Sequence, residues 1–183
     1  MFPFINPFNT TPNTSPVCKP AIPIAAPLPK PPAYRATMKI NFEGGKSLSY
    51  IVIPQPPNDN GFVSSIDRTV TQFQMPYKRS NTLGFLAHNY IAGRDFSSVS
   101  IGDRLEYIGL KNDNRNATVK QIIDCSKLDQ KGTKFSCPSI SKKPLTEAQL
   151  YNYIYKPSNR FVLQTCIGKD KDMEWGRKFI IGE

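Results

Sequence analysis

Arg160-Phe161-Val162-Leu163-Gln164-Thr165-Cys166, followed after a turn-rich interval by Lys178-Phe179-Ile180-Ile181, decides the fold. Both runs are rich in β-branched, aromatic and leucine residues, and Gly168-Lys169-Asp170 after the first is a turn signal, so each reads as a strand. The same texture recurs upstream. Thr118–Asp124, Arg104–Ile108 and Leu83–His88 are further strand runs, and Met38–Phe42 and Ser47–Ile53 alternate around Glu43-Gly44-Gly45-Lys46 as a hairpin. Lys111–Asn116 is a turn cluster, and Ser100-Ile101-Gly102-Asp103 leads directly into a strand. A helix is expected over Leu145–Ile154, where Pro144 precedes it, Thr146 can cap it, and Leu150, Tyr153 and Ile154 recur at helical spacing. Short strands with little helix point to an all-β domain, a closed barrel or a sandwich.

Composition sets the outer bounds. The 183 residues make one ordinary domain with an appendage, long enough to bury a real core without metal or disulfides. With 39% hydrophobic and 21% charged residues the chain is not wholly disordered. No apolar run approaches the roughly 18 residues of a membrane span. The net charge of +10 permits an anionic partner but selects none. Lys and Arg are scattered rather than gathered in stripes with aromatics, so no nucleic-acid partner is expected.

The prolines divide the chain into an arm, residues 1–35, and a barrel domain, residues 36–183. Ten of the 17 prolines fall within residues 1–33, with only Lys19 and Lys30 for charge, so an extended polyproline-like arm is expected. It lacks the basic and continuous apolar regions of a secretory signal. Phe2, Phe4, Ile5 and Phe8 supply apolar surface that a plain spacer does not need, which suits docking onto the barrel or a partner.

The rare residues carry the chemistry. His88 is the only histidine, at the end of an apolar strand, and Cys166 ends another. Active-site groups commonly sit where a rigid strand gives way to a loop. Read alone, the histidine is equally a structural one and the cysteine a small buried hydrophobe. The local motifs are more specific. Val162-Leu163-Gln164-Thr165-Cys166 resembles the Thr-Leu-x-Thr-Cys strand of sortases, and Arg177, eleven positions on in Trp175-Gly176-Arg177-Lys178-Phe179, resembles that family's catalytic arginine. Phe85-Leu86-Ala87-His88 and Val99-Ser100-Ile101-Gly102-Asp103-Arg104-Leu105 are similar to its histidine strand and the Gly-Asp turn that follows. The order His, Cys, Arg is the family's order. Ala87 departs from the glycine that many sortases carry before the histidine.

The resemblance implies a closed sortase-like β-barrel of seven or eight strands with one or two short helices, and no cofactor or metal. It implies Cys166 as nucleophile, His88 as acid and base, and Arg177 as oxyanion and substrate stabiliser, with Ala87, Leu163 and Thr165 at the substrate. The chemistry suits these roles. A thioester needs a thiolate, two cations nearby favour one, a guanidinium can hold an oxyanion, and an imidazolium can protonate a departing amine. Asn89 as a papain-like orienting residue fits poorly, because neighbours along a strand face opposite ways. Cys125 and Cys137 flank a hydrophilic stretch; they can be reduced, separately buried, or bridged. Their spacing is not a zinc motif. Cys18 lies in the arm with no evident partner.

Three functions remain open on the sequence. The first is a sortase-type cysteine transpeptidase. It cleaves a Leu-Pro-x-Thr-Gly-like sorting signal of a surface protein through a Cys166 thioester and passes the acyl group to an amine on a wall precursor or protein. The second is a non-enzymatic barrel used in assembly, and the third a cysteine hydrolase. The resemblance implies an extracytoplasmic, cell-surface or membrane-associated setting, with no anchor visible in this chain. Asn6-Pro7-Phe8 looks like the Asp-Pro-aromatic lid motif of some pilin-assembling sortases, so an arm that covers the groove is a further expectation.

Overall fold

The computed structural model describes residues 36–110, 113–169 and 172–183. The arm, with Cys18 and the expected lid motif, lies outside the described residues. Ten strands form one sheet: β1 Thr37–Asn41, β2 Ser47–Pro54, β3 Thr69–Phe73, β4 Leu83–Ala87, β5 Arg104–Ile108, β6 Asn114–Lys127, β7 Lys134–Ser136, β8 Leu145–Thr146, β9 Phe161–Lys169 and β10 Asp172–Gly182. Three helices, rather than one or two, interrupt them: α1 Gln74–Ser80, α2 Ala92–Phe96 and α3 Glu147–Tyr155.

The neighbour order is β10-β9-β4-β3-β2-β1-β5-β6, and pairing of β10 with β6 closes these eight strands into a barrel. β7 and β8 extend the sheet outward from β6. The pairs β2–β3 and β4–β9 are parallel and the rest antiparallel, so the barrel is mixed. The fold is the expected all-β closed barrel.

Strand alternation builds two apolar clusters, one on each face of the same strands. Phe85, Phe161, Leu163 and Ile180 point into the barrel with Met38, Ile40 and Leu105. Val162, Phe179 and Ile181 face outward and are covered by Leu150, Ile154 and Tyr155 of α3. The first helical residue of α3 is Glu147, two positions later than expected, because Leu145 and Thr146 pair with β7 as β8. Thr146 caps it with a full capping box: its hydroxyl accepts from Gln149 N at 3.2 Å, and Gln149 Oε1 accepts from Thr146 N at 2.9 Å.

The β1–β2 turn falls where expected, with Gly45 at φ 80°. Gly102, at φ 102°, turns the chain into β5 and lets the buried Asp103 carboxylate accept from Glu43 N at 3.0 Å and Ser100 N at 2.8 Å. The Gly-Asp turn therefore staples the β1–β2 turn to the base of β5. Among the described residues, no helix is long and apolar enough to cross a membrane.

Candidate active site

Register brings the end of β4 against the interiors of β9 and β10. Arg177 of β10 stands directly opposite Cys166 of β9. Ala87, the last residue of β4, pairs with Thr165 in the parallel β4–β9 ladder, so His88 and Cys166 are the next residues of neighbouring strands. Counting by twos from outward-facing Val162 and Phe179 sets Cys166 and Arg177 on the outer face of the barrel, the face that α3 covers farther along. All three side chains are largely sheltered, at 7% exposure for His88, 6% for Cys166 and 5% for Arg177.

Each group has a distinct environment. His88 Nε2 lies 3.2 Å from the carbonyl oxygen of Val63, in the loop between β2 and β3. Tyr90 stacks on the imidazole, with ring centres 5.1 Å apart. The backbone of His88 is fixed by α2, whose approach supplies Ile91 N at 3.0 Å and Gly93 N at 2.9 Å to the His88 carbonyl. Gly93 must be glycine here, because a Cβ would strike Thr165 Oγ1 and the His88 backbone. Burial pushes the His88 ring below the ordinary histidine value, opposed by the Val63 carbonyl and by the charge of Glu174. Burial also lowers Arg177 from the usual arginine value, opposed by Glu174, Glu147 and Asp172. Arg177 donates from one terminal nitrogen to Gly176 O at 3.1 Å.

Cys166 is disulfide-bonded in this structure, and none of the described cysteines is a free thiol. Thiolate chemistry at this position therefore begins with reduction. Cys125 and Cys137 form the other bridge, with Cα atoms 4.4 Å apart. Of the three states the sequence left open for this pair, it adopts the bridged one. Cys125 of β6 is the second direct cross-strand partner of Arg177, so the bridge ties β6 to the segment after β7 beside the arginine.

Between α3 and the outer face lies an apolar cleft of about 80 Å³, lined by Phe73, Phe135, Leu150, Tyr151, Tyr155 and Phe179, with Gln164, Glu147 and Arg177 supplying its polar groups. Tyr155 Oη donates to Gln164 Oε1 at 2.6 Å. That phenol is wholly buried and its pKa is pushed well above the ordinary tyrosine value by desolvation. A second, wider cleft runs past Cys166 along Asn89, Gly93, Arg94, Thr165 and Lys178.

Of the residues expected at the substrate, Leu163 takes another place, while Ala87 and Thr165 line small spaces beside His88 and Cys166. Leu163 is fully buried in the barrel interior and Ala87 packs in the same cluster. Thr165 donates its hydroxyl to Ala87 O at 2.9 Å, locking β9 to β4. For Leu163 the reason is alternation: an odd offset from Cys166 along a strand leads to the opposite face. Gln164, at an offset of two, lines the cleft instead. The expectation missed it, although alternation alone carried the signal. The Val63 carbonyl was not legible, because a backbone acceptor in a loop leaves no mark in residue type.

No protein-family model and no curated protein matches the chain. Among solved structures it is similar to sortase A from Listeria monocytogenes, at 11% identity and TM-score 0.49, over 81% of this chain and 84% of that one. It is also similar to sortase C1 from Streptococcus suis, at 14% identity and TM-score 0.48, over 81% and 72%. Against Streptococcus agalactiae sortase C1 the values are 13% and 0.47, over 81% of this chain, which spans 65% of that chain's length. Residue roles do not transfer at such identities.

Proposed function

We propose that this protein is a sortase-type cysteine transpeptidase. The observation that carries the reading is the cross-strand pair of Cys166 and Arg177 with His88 at the end of the adjoining strand. Once reduced, Cys166 attacks the carbonyl carbon of a scissile peptide bond. The Arg177 guanidinium, paired across the ladder from the sulfur, is suited to hold the oxyanion. His88 takes the thiol proton and returns it to the departing amine, leaving an acyl thioester on Cys166. An incoming amine then attacks the thioester and releases the sulfur. The proposed substrate is a sorting-signal peptide resembling Leu-Pro-x-Thr-Gly, with an apolar side chain in the cleft under α3. The proposed acceptor is an amine of a wall precursor or a protein, at an extracytoplasmic surface.

One observation favours the non-enzymatic reading: Cys166 is disulfide-bonded. The deciding experiment uses the full chain treated with a phosphine reductant. Incubation with a Leu-Pro-x-Thr-Gly peptide should give an acyl adduct on Cys166 by peptide-mapping mass spectrometry, and added triglycine should convert it to a transpeptidation product. Without reductant neither should form. Reduced protein that never acquires the adduct returns the barrel to a structural role, and release of free acid unaltered by triglycine makes it a hydrolase.

A further inference from the structure

Neutral imidazole is useful as a base at one nitrogen only, and the structure fixes which. The His88 ring makes its hydrogen bond through Nε2, to the carbonyl oxygen of Val63 at 3.2 Å. A carbonyl only accepts, so the hydrogen sits on Nε2 and the lone pair on Nδ1. Among the described residues Nδ1 is buried without a hydrogen-bond partner, and the ring lines a small cavity together with Val63, Gln164, Thr165 and Cys166. The choice of basic nitrogen therefore depends on the orientation of one peptide group.

That peptide group is gripped from its other side. The N–H of Ser64 belongs to the same planar unit as the Val63 carbonyl, and it donates to Thr71 Oγ1 at 2.8 Å. Thr71 is fully buried on β3 and pairs with Leu86 of β4, two residues before His88. One rigid plane thus spans the threonine hydroxyl and the imidazole, with both ends mounted on adjacent strands. The surrounding loop has separate anchors. Gln55 Nε2 donates to Asn60 O at 2.8 Å and to Phe62 O at 3.4 Å, and the Thr69 hydroxyl donates to Ile66 O at 2.7 Å. Ser64 Oγ also lies 2.8 Å from Thr69 Oγ1, so loss of the Thr71 hydroxyl releases the Ser64 N–H and loosens the plane while these contacts hold the loop.

We propose that Thr71 is a positioning residue for His88: through the Val63–Ser64 peptide it sets the proton on Nε2 and leaves Nδ1 as the base beside Cys166. This rests on the reading of His88 as proton carrier. Other groups acting on the ring are Tyr90, stacked on its face, Cys166 from β9, and the charge of Glu174 from β10.

The test uses reduced full-length protein labelled with nitrogen-15 histidine, where the single histidine gives one unambiguous ring spectrum. Wild type and Thr71→Ser should show the Nε2–H tautomer. Thr71→Val, nearly the same shape, should show both tautomers in exchange. It should also show a lower ring titration midpoint, because a carbonyl that accepts from the charged ring is lost, and a roughly tenfold slower alkylation of Cys166 by iodoacetamide. A wild-type ring protonated on Nδ1 overturns the proposal without any variant. So does a Thr71→Val spectrum that matches wild type, even if its activity falls, since that is a structural effect alone. A tautomer shift in Thr71→Val with no thioester formed by wild type keeps the positioning role and removes the transpeptidase.

Discussion

Arg177 and Cys166 are direct partners across the β9–β10 ladder, and Arg177 meets Cys125 in the same way across β6. Backbone pairing on both sides fixes the Arg177 Cα, so the root of its side chain does not depend on a loop.

Replacing Arg177 should therefore act on chemistry more than on folding. Arg177→Ala should slow thioester formation by roughly two to three orders of magnitude, the usual effect of losing an oxyanion donor. Arg177→Lys should recover only part, because a point charge does not reproduce the planar fork. Single-turnover acylation of Cys166, followed by mass spectrometry, reads both; near-wild-type rates in Arg177→Ala would remove the arginine from the mechanism.

The two faces of β9 should separate stability from recognition. Leu163→Ala, deep in the barrel, should cost about 2–5 kcal/mol in urea unfolding while leaving peptide KM unchanged in the folded fraction. Gln164→Leu should raise peptide KM instead, since Gln164 faces the cleft and takes the Tyr155 hydroxyl. A KM change from Leu163→Ala with no loss of stability would reverse the assignment of faces.

The Cys125–Cys137 bridge closes a short loop of 12 residues' separation. By loop-closure arithmetic its removal should destabilise the domain by on the order of 3 kcal/mol. The Cys125→Ala/Cys137→Ala variant should then melt roughly 6–12 °C lower by calorimetry. A melting point within a degree or so of wild type, on the scale of that same estimate, would mean that the native pairing of β6 and β7 holds without it.

Histidine burial gives a pH signature. Burial lowers His88 from its ordinary value of 6.5, so in acid the unfolded chain binds a proton that the folded chain resists. Stability should fall as pH drops through that ordinary value, and go on falling until the folded ring is also protonated. In His88→Gln this part of the decline should vanish. Urea titrations of both proteins between about pH 7.5 and 5 measure it; parallel curves would mean that the ring is not shielded.

Much of this was legible in the sequence for physical reasons that can be named. Strands β1, β2, β4, β5, β9 and β10 announce themselves through β-branched and aromatic runs, and Thr146 announces the start of α3. The turn cluster expected over Lys111–Asn116 instead yields Asn114, Arg115 and Asn116 to β6, because pairing with β5 overrides the weak strand preference of asparagine. Helix α1 hides behind Pro76, which reads as a breaker but falls in the first turn, where the missing N–H costs little. Helix α2 is five residues long and contains Gly93, so no periodicity can reveal it. At the site, His88 and Cys166 stood out as rare residues and Arg177 came only through the resemblance, while the aromatic cleft waited on α3 folding back across the outer face.

Closure of the sheet by β10 and β6 has one further consequence. A closed barrel has no free edge strand along which a guest peptide can add over a whole strand's length. What remains open are short stretches where a strand outruns its partner, such as β9, which continues to Lys169 while its ladder with β4 ends at Thr165. Another is β8, two residues long at the free margin of the β6–β7–β8 extension, immediately before the helix that roofs the cleft. An extended guest can find main-chain partners only at stretches this short, which are enough to align it but too few to hold it.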